Sequence, residues 1–363
     1  MRRKLLIAIV YNEPTVQTRE GRKFISETGV LQEGANNKLT TATGEQVLVD
    51  LSEVGVVEAM EDIRAALISL AYKAVIFNVD GNIHRLIDFL EEVQPDLVFN
   101  LCESHGAESM GEMYIAGLYE VLDIPYTGSP PLTLGTALKK ARAKEILAYY
   151  GIPSPKFRLY KVSTRITVDE SMEFPMIVKP SHEDASVGID DQSIVEHPAE
   201  LRGRIRHIIE KYDQPALVEE YIPGRELNVA IIGNSKPIVL PISEIDFSTV
   251  PENLHHIVSY EAKWVKGTAI YEETRGICPA PLSSSVEARV KEIALQAYQI
   301  LGCRDYARLD MRLAKDNQLY LLEVNPNPDL SDDAGFARSA RRYGFTFAEM
   351  VGKIVEFAIE RTP

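Results

Sequence analysis

The chain has 363 residues, of which 39 are lysine or arginine and 53 aspartate or glutamate, for a formal net charge of −14. A surface of that sign cannot neutralise phosphates along a nucleic acid irrespective of sequence, which excludes that class of binder. Apolar residues at 45% and charged residues at 25% are ordinary for a globular protein, and Cys102, Cys278 and Cys303 lie too far apart for a redox or zinc pair, which suits a reduced, cytosolic protein.

At roughly 150 residues per domain the length predicts two or three domains. Arg2, Arg3 and Lys4 precede an apolar run from Leu5 to Val10, but the run is short and Tyr11-Asn12-Glu13-Pro14 follows it, so neither a signal peptide nor a membrane span is expected.

Residues 4–10 are continuously aliphatic and predict a buried parallel strand. Residues 12–50 show no sustained period and predict a long loop over a site. From Ser52 to Tyr72 the apolar residues recur at helical spacing; a strand at 74–77, a helix at 83–93, a strand at 97–101 and a helix from about 108 to 122 follow. This alternation predicts an α/β layer with a parallel sheet, and no Gly-x-Gly-x-x-Gly follows its first strand to hold a dinucleotide.

The turn cluster Ile124-Pro-Tyr-Thr-Gly128-Ser-Pro-Pro131 predicts the first domain boundary. Beyond it the expected order is a helix ending near Tyr150, two short strands within 157–179, a polar loop from Pro180 to Gly188, another strand, and a helix over 198–212. A mixed region follows, with strands at 216–221, 227–232 and 237–245, an excursion over 250–280, a helix over 284–301 and a hairpin at 305–325.

That hairpin is the most informative stretch. Arg308, Asp310 and Arg312 alternate with Leu309, Met311 and Leu313, so the polar side chains share one face, as Glu323 and Asn325 do on the return strand. A two-residue turn at Asp316-Asn317 would place Asp310 opposite Glu323 and Arg308 opposite Asn325. Opposed carboxylates repel unless a cation lies between them, and with an amide oxygen they form a hard donor set suited to Mg²⁺. Neutralisation of both acids by Arg308 on a solvated face would give the same pattern. Lys140 and Lys179 are phosphate candidates, the second because it ends a strand before the small-residue loop that holds Ser186 and Gly188.

In this order the segments resemble the ATP-grasp superfamily, and more closely its D-alanine–D-alanine ligase branch. The resemblance covers about residues 95 to 355: Ile124 to Ser129, Lys140-x-x-x-Lys144, Ile177-Val-Lys-Pro-Ser181 with Ser186-Val-Gly188, Glu219 to Glu226, Tyr260-Glu-Ala-Lys263, Arg308-x-Asp310 and Glu323-Val-Asn325. It implies an α/β fold, α+β in its C-terminal part: an N-terminal Rossmann-like parallel-sheet domain over 1–128, a small lid domain over 129–214 and a large domain over 215–363, the last two sandwiching ATP. It further implies that Lys140, Lys179, Ser186 and Lys263 meet the ATP phosphates, that Glu219, Tyr221 and Ile222 meet adenine, and that Glu226 meets the ribose. Asp310, Glu323 and Asn325 would hold two Mg²⁺ ions, for which Mn²⁺ could substitute, and Arg308 with Lys263 and Glu13 would serve catalysis. The implied reaction turns a carboxylate into an acyl phosphate that an amine attacks, with amino acids or short peptides as substrates and a homodimer as the assembly.

The family's pattern breaks at the substrate ends. Tyr11-Asn-Glu13-Pro stands where the ligase branch has Gly-Gly and then Ser-Ala-Glu, leaving Glu13 to meet the first substrate; Ala185 and Trp264 replace a serine and a tyrosine. After Asn325 the chain reads Pro-Asn-Pro-Asp329-Leu-Ser331-Asp-Asp, and Arg338, Arg341 and Arg342 follow as carboxylate-binding candidates. His105, with Glu103 and Glu108 beside the third strand, is a further substrate candidate. These departures predict altered amino-acid specificity; an authentic D-alanine–D-alanine ligase and a non-catalytic ATP-binding regulator are the alternatives.

Overall fold

The computed structural model describes residues 4–13, 15–18, 21–24, 38–40, 46–49, 51–103, 110–162, 166–167, 171–184, 186–250, 255–264, 268, 270–271 and 274–361. In the N-terminal part β1 (Leu6–Tyr11) is followed by β2 (Thr15–Thr18), β3 (Gly21–Phe24), β4 (Lys38–Thr40) and β5 (Gln46–Val49). Next come α1 (Leu51–Ser69), β6 (Lys73–Asn78), α2 (Ile83–Val93), β7 (Leu97–Leu101) and α3 (Gly111–Val121). The sheet β6-β1-β7 is parallel throughout. Ile7 and Ile9 of β1 face one core while Ala8 and Val10 face another, which is why the strand reads as an unbroken aliphatic run.

Residues 12–50 depart from the expected loop: β2 to β5 form a four-stranded antiparallel sheet in the order β3-β2-β5-β4. Strands of three or four residues hold too few alternations to register as a period, so the sequence pattern misses them.

The helix expected to end near Tyr150 is two, α4 (Pro131–Leu138) and α5 (Lys140–Tyr149), broken at Lys139. A second sheet, β10-β9-β11-β8, combines β8 (Phe157–Tyr160), β9 (Met176–Pro180), β10 (Ile194–Val195) and β11 (Ala216–Glu220), with α6 (Pro198–Tyr212) packed on it.

The largest sheet runs β15-β14-β12-β16-β17, with β13 paired to β12. Its strands are β12 (Gly224–Ile232), β13 (Ile238–Val239), β14 (Ser243–Asp246), β15 (Arg275–Ile277), β16 (Tyr306–Ala314) and β17 (Leu319–Asn325). The short α7 (Tyr260–Trp264) precedes β15, α8 (Ser284–Ile300) follows it, and α9 (Gly335–Tyr343) and α10 (Phe347–Glu360) come last. Thr346 and Glu349 cap α10 reciprocally, the pattern Thr-x-x-Glu predicts.

One face of this sheet, with Leu227, Val229, Leu309, Met311 and Leu313, packs on α8. Part of the other face, with Ala230, Ile232 and Tyr306, enters a core built jointly from β1, β7, α1, α9 and α10. The expected boundary turn is pinned to the large sheet, because the fully buried Asp305 accepts hydrogen bonds from Gly128 N (2.9 Å), Asn234 Nδ2 (3.1 Å) and Arg361 Nε (2.9 Å). Among the described residues no helix is long and apolar enough to cross a membrane.

Candidate active site

Antiparallel pairing carries side chains across the large sheet in rows. Asp310 lies opposite Asn228, which lies opposite Ser243; two residues along, Arg312, Glu226, Ile245 and Gly276 form a parallel row on the same face. The polar alternation read from β16 therefore lies on a largely buried face rather than a solvated one. Asp310 is 6% exposed and Arg312 4%.

Asp310 does face Glu323, and Arg308 does face Asn325, but not for the reason expected. The turn holds three residues, since Ala314 and Gln318 pair, and Asn317 takes the left-handed conformation at φ 62°. From Leu313–Leu319 to Met311–Leu321 the ladder is accordingly one residue out of the anticipated register, until a bulge between Asp310 and Met311 leaves Leu322 unpaired and restores it. The bulge also changes the phase of β17: Leu319 and Leu321 face the core before it and Val324 after it, turning Glu323 and Asn325 toward Asp310.

Arg308 grips Asp310 through two hydrogen bonds, Nε to Oδ1 at 2.8 Å and an Nη to Oδ2 at 2.9 Å. Asn228 Nδ2 adds 2.7 Å to Oδ1 and Asn325 Nδ2 3.0 Å to Oδ2. The neutralisation foreseen for Arg308 is thus real for Asp310, whereas Glu323 pairs with Lys140 Nζ at 3.6 Å. Burial opposes the Glu323 charge, but Lys140, Lys179 and Arg308 more than offset it and hold this carboxyl well below the usual carboxylate range. Burial likewise opposes the Lys140 ammonium, yet contacts with Asp184 and Glu323 raise its pKa above the ordinary lysine value.

A second charged cluster lies beside the first. Glu219, 1% exposed, sits between Lys144 Nζ at 2.8 Å and Lys179 Nζ at 2.5 Å. Burial raises its pKa and the two ammonium groups lower it further, leaving a carboxylate more acidic than usual. After Lys179 the chain enters the small-residue loop, where Ser186 at φ 63° and Gly188 at φ 76° are left-handed. A Cβ on Gly188 would stand 2.6 Å from Pro180 Cγ, so the close return of this loop on the strand end requires glycine. Tyr221 donates to His256 O at 3.3 Å, and Ile222 lies between it and β12. Arg312 pairs with Glu226 at 2.9 Å and stacks its guanidinium over Tyr221 and Phe247. Burial, opposed by Arg312, raises the Glu226 pKa.

Other expected residues are distributed unevenly. Lys263 on α7 lies among the same charges: burial and Arg308 lower its pKa, against Asp310, Asp329 and Glu323. Glu13 stands at the C-terminal end of β1, where ligands collect in parallel sheets, with its Oε2 accepting from Asn78 Nδ2 at 2.9 Å. Ser331 donates to Asp329 through both N (2.8 Å) and Oγ (2.7 Å), so these two close a local turn. Arg338 is half-buried on α9, whereas Arg342 is exposed and outside the cluster; Arg341 pairs with Asp332 at 2.6 Å. His105, Ala185 and the side chain of Trp264 lie outside the described residues. Asn228 and Asp184 were missed, as was the charge partner of Arg312; each acts through a contact distant in sequence, which no local pattern signals.

Among the described residues no group of three His, Cys, Asp or Glu side chains could hold a metal ion. The hairpin offers two carboxylates and one amide, whose oxygen a half-turn about χ2 would present. Oxygen donors only, and few of them, fit Mg²⁺, which completes its shell with phosphate and water.

A family model described as the D-ala D-ala ligase C-terminus matches residues 144–356. The D-alanine–D-alanine ligase of Desulforudis audaxviator is 35% identical over 302 residues, covering 82% of this chain and 91% of that protein. An uncharacterised protein of Sinorhizobium fredii, y4sG, is 34% identical over 265 residues, 73% of this chain and 75% of its own. The crystal structure of the D-alanine–D-alanine ligase from Bacillus anthracis complexed with ATP superposes with a TM-score of 0.70 at 22% identity, over 98% of both chains.

Proposed function

Because the chain belongs to the D-alanine–D-alanine ligase family, whose members are ATP-dependent ligases that form a peptide bond, we propose that it joins an amino-acid carboxylate to an amine with specificity altered from D-alanine. The observation that carries the ligase reading is the hairpin, where Asp310 and Glu323 face each other beside Lys140 and Arg308. Asp310, Glu323 and Asn325 would hold Mg²⁺, taken as two ions with Mn²⁺ able to substitute. When bound, the metal offsets phosphate charge that opposes nucleophilic attack.

The chain's own groups supply the rest. Lys140, Lys179, Lys263 and the backbone of the Ser186 loop bind phosphate oxygens, while Glu219, Tyr221 and Ile222 line the adenine end and Glu226 takes the ribose hydroxyls. On nucleotide binding Lys179 exchanges part of its contact with Glu219 for phosphate, and Lys144 keeps that carboxylate compensated. Arg308, locked by Asp310, presents its remaining guanidinium edge where charge develops on the substrate's carbonyl oxygen as the acyl phosphate forms and is attacked. Glu13 holds the ammonium of the first amino acid, with His105 and Trp264 as further substrate contacts.

Changes at the substrate ends support altered specificity. Ala185 and Trp264 cannot reproduce a serine–tyrosine hydroxyl pair, and the Ser331 hydroxyl is spent on Asp329. The chain is expected to act in the cytoplasm on free amino acids or peptides, as a homodimer. ADP release from Mg²⁺–ATP, measured over D- and L-amino acids singly and in pairs with mass spectrometry of products, tests the reading. A ligated product from a pair other than D-alanine with itself is the expected result. D-alanyl-D-alanine as the sole product would overturn the altered specificity, and ATP binding without ADP release under any condition would overturn the ligase.

A further inference from the structure

Among the described side chains the half-buried and buried arginines are, with one exception, paired with a carboxylate. Arg204, Arg225, Arg304, Arg308, Arg312 and Arg361 pair with Asp190, Glu244, Glu120, Asp310, Glu226 and Asp305. Among the described residues Arg338 forms no salt bridge and its guanidinium no hydrogen bond, Asp333 acting on it only through space, and its Nε is buried without a partner. Leaving such a donor unmet costs free energy that a folded chain normally avoids.

Its position is defined. A Cβ on Gly276 would overlap the Arg338 guanidinium, so glycine at this point of β15 makes the seat. Gly276 continues the row Arg312–Glu226–Ile245 and belongs to the face that carries Asp310. The neighbouring Ser339 holds α9 to that face through Ser243 Oγ at 2.9 Å, and Ser243 shares a row with Asp310. Three strand spacings and two residues separate Gly276 from Asp310, on the order of 15 Å between backbones. The guanidinium also bends back to within 3.6 Å of where a Cβ on Gly335 would be, over the first turn of α9, whose Ala334 cap gives its N–H groups no side-chain acceptor.

We propose that Arg338 is a specificity-determining residue that binds a carboxylate of the amine substrate, with Gly276 providing its seat. The inference rests on the ligase reading for the identity of that ligand as a substrate. A planar donor fork without a salt-bridge partner among the described residues, on the face of Asp310 and away from the reacting centre, matches bidentate carboxylate recognition. Arg341, held by Asp332, and the exposed Arg342 do not offer this.

The test uses the full chain with Mg²⁺–ADP, followed by thermal shift. Probes are D- and L-alanine, aspartate and glutamate, each beside its α-carboxamide, with the side-chain amides of the two acids. At least one acid is expected to stabilise the wild type, and Arg338→Met should weaken its binding by about 10- to 100-fold while the ADP-induced shift stays unchanged. Amidating the recognised carboxylate should cost the wild type the same factor and the variant nothing more. Sensitivity to the α-amide assigns the α-carboxylate, and sensitivity to the side-chain amide assigns an acidic side chain. Gly276→Ala, which displaces the guanidinium without removing it, should reproduce the defect, and Arg338→Gln serves if the methionine variant misfolds. Equal binding of acid and amide, undiminished binding by both Arg338 variants, or no response of the wild type to any acid would overturn the proposal. Absence of the ADP shift alone, with the acid response intact, would instead sink the ligase reading.

Discussion

Glu323→Gln is expected to lower Mg²⁺-dependent ADP release by about a thousandfold in a chain that still folds, with a thermal midpoint below that of the wild type because Lys140, Lys179 and Arg308 lose a favourable charge. Asp310 is already engaged by Arg308 on both oxygens and by two amides, so its charge is largely compensated within the hairpin. Glu323 is held more loosely, by Asn325 Nδ2 at 3.4 Å and Lys140 Nζ at 3.6 Å, and Lys140 has Asp184 as a second partner. The glutamine variant therefore removes the carboxylate freest to attract a cation, and strands no buried charge. Its isosteric side chain keeps the hairpin's packing. Kinetics across a Mg²⁺ series would show the defect, with circular dichroism as the folding control. Unchanged turnover would refute the metal assignment.

Glu219→Gln is expected to act on stability as well. It would leave Lys144, 3% exposed, and Lys179 facing one another with no anion between them, and breaking a buried charge cluster from one side costs about 3–5 kcal/mol. The effect should depend on pH in a definite direction. Burial raises the Glu219 pKa, but the two lysines bring it below its ordinary value. A carboxyl more acidic folded than unfolded stabilises the fold fully above its unfolded pKa, about 4.3, and loses that contribution as pH falls through the folded value. Chemical denaturation at pH 7 should show the full difference between wild type and variant, and the gap should narrow toward pH 3. A difference that persisted in acid would mean that packing, not charge, sustains the cluster.

What the sequence made legible divides along physical lines. Ile7 to Val10, the helix over 198–212 and the alternation in β16 are local patterns, and each lies where its period placed it. The facing of Asp310 and Glu323 was legible too, through two compensating departures: a turn one residue longer than assumed, and a bulge at Leu322 that absorbs the difference. The trio Lys144–Glu219–Lys179 was not legible as a unit, because α5, β9 and β11 bring it together from segments far apart in sequence. Nor could Arg338 be told from Arg342, since only packing leaves one half-buried with no salt bridge among the described residues and the other in solvent.

The joint core of β1, β7, α1, α9 and α10 bears on how such ligases can be recombined. Exchanging the first 128 residues with those of a relative, an obvious route to a new donor specificity, would set a foreign α1 against Met350, Val351, Ile354 and Val355 of α10. A chimera joined only at the turn around Gly128 would thus inherit a mismatched interior. The practical unit of exchange is discontinuous: the N-terminal layer together with the last two helices, leaving the two antiparallel sheets that follow residue 156 in place.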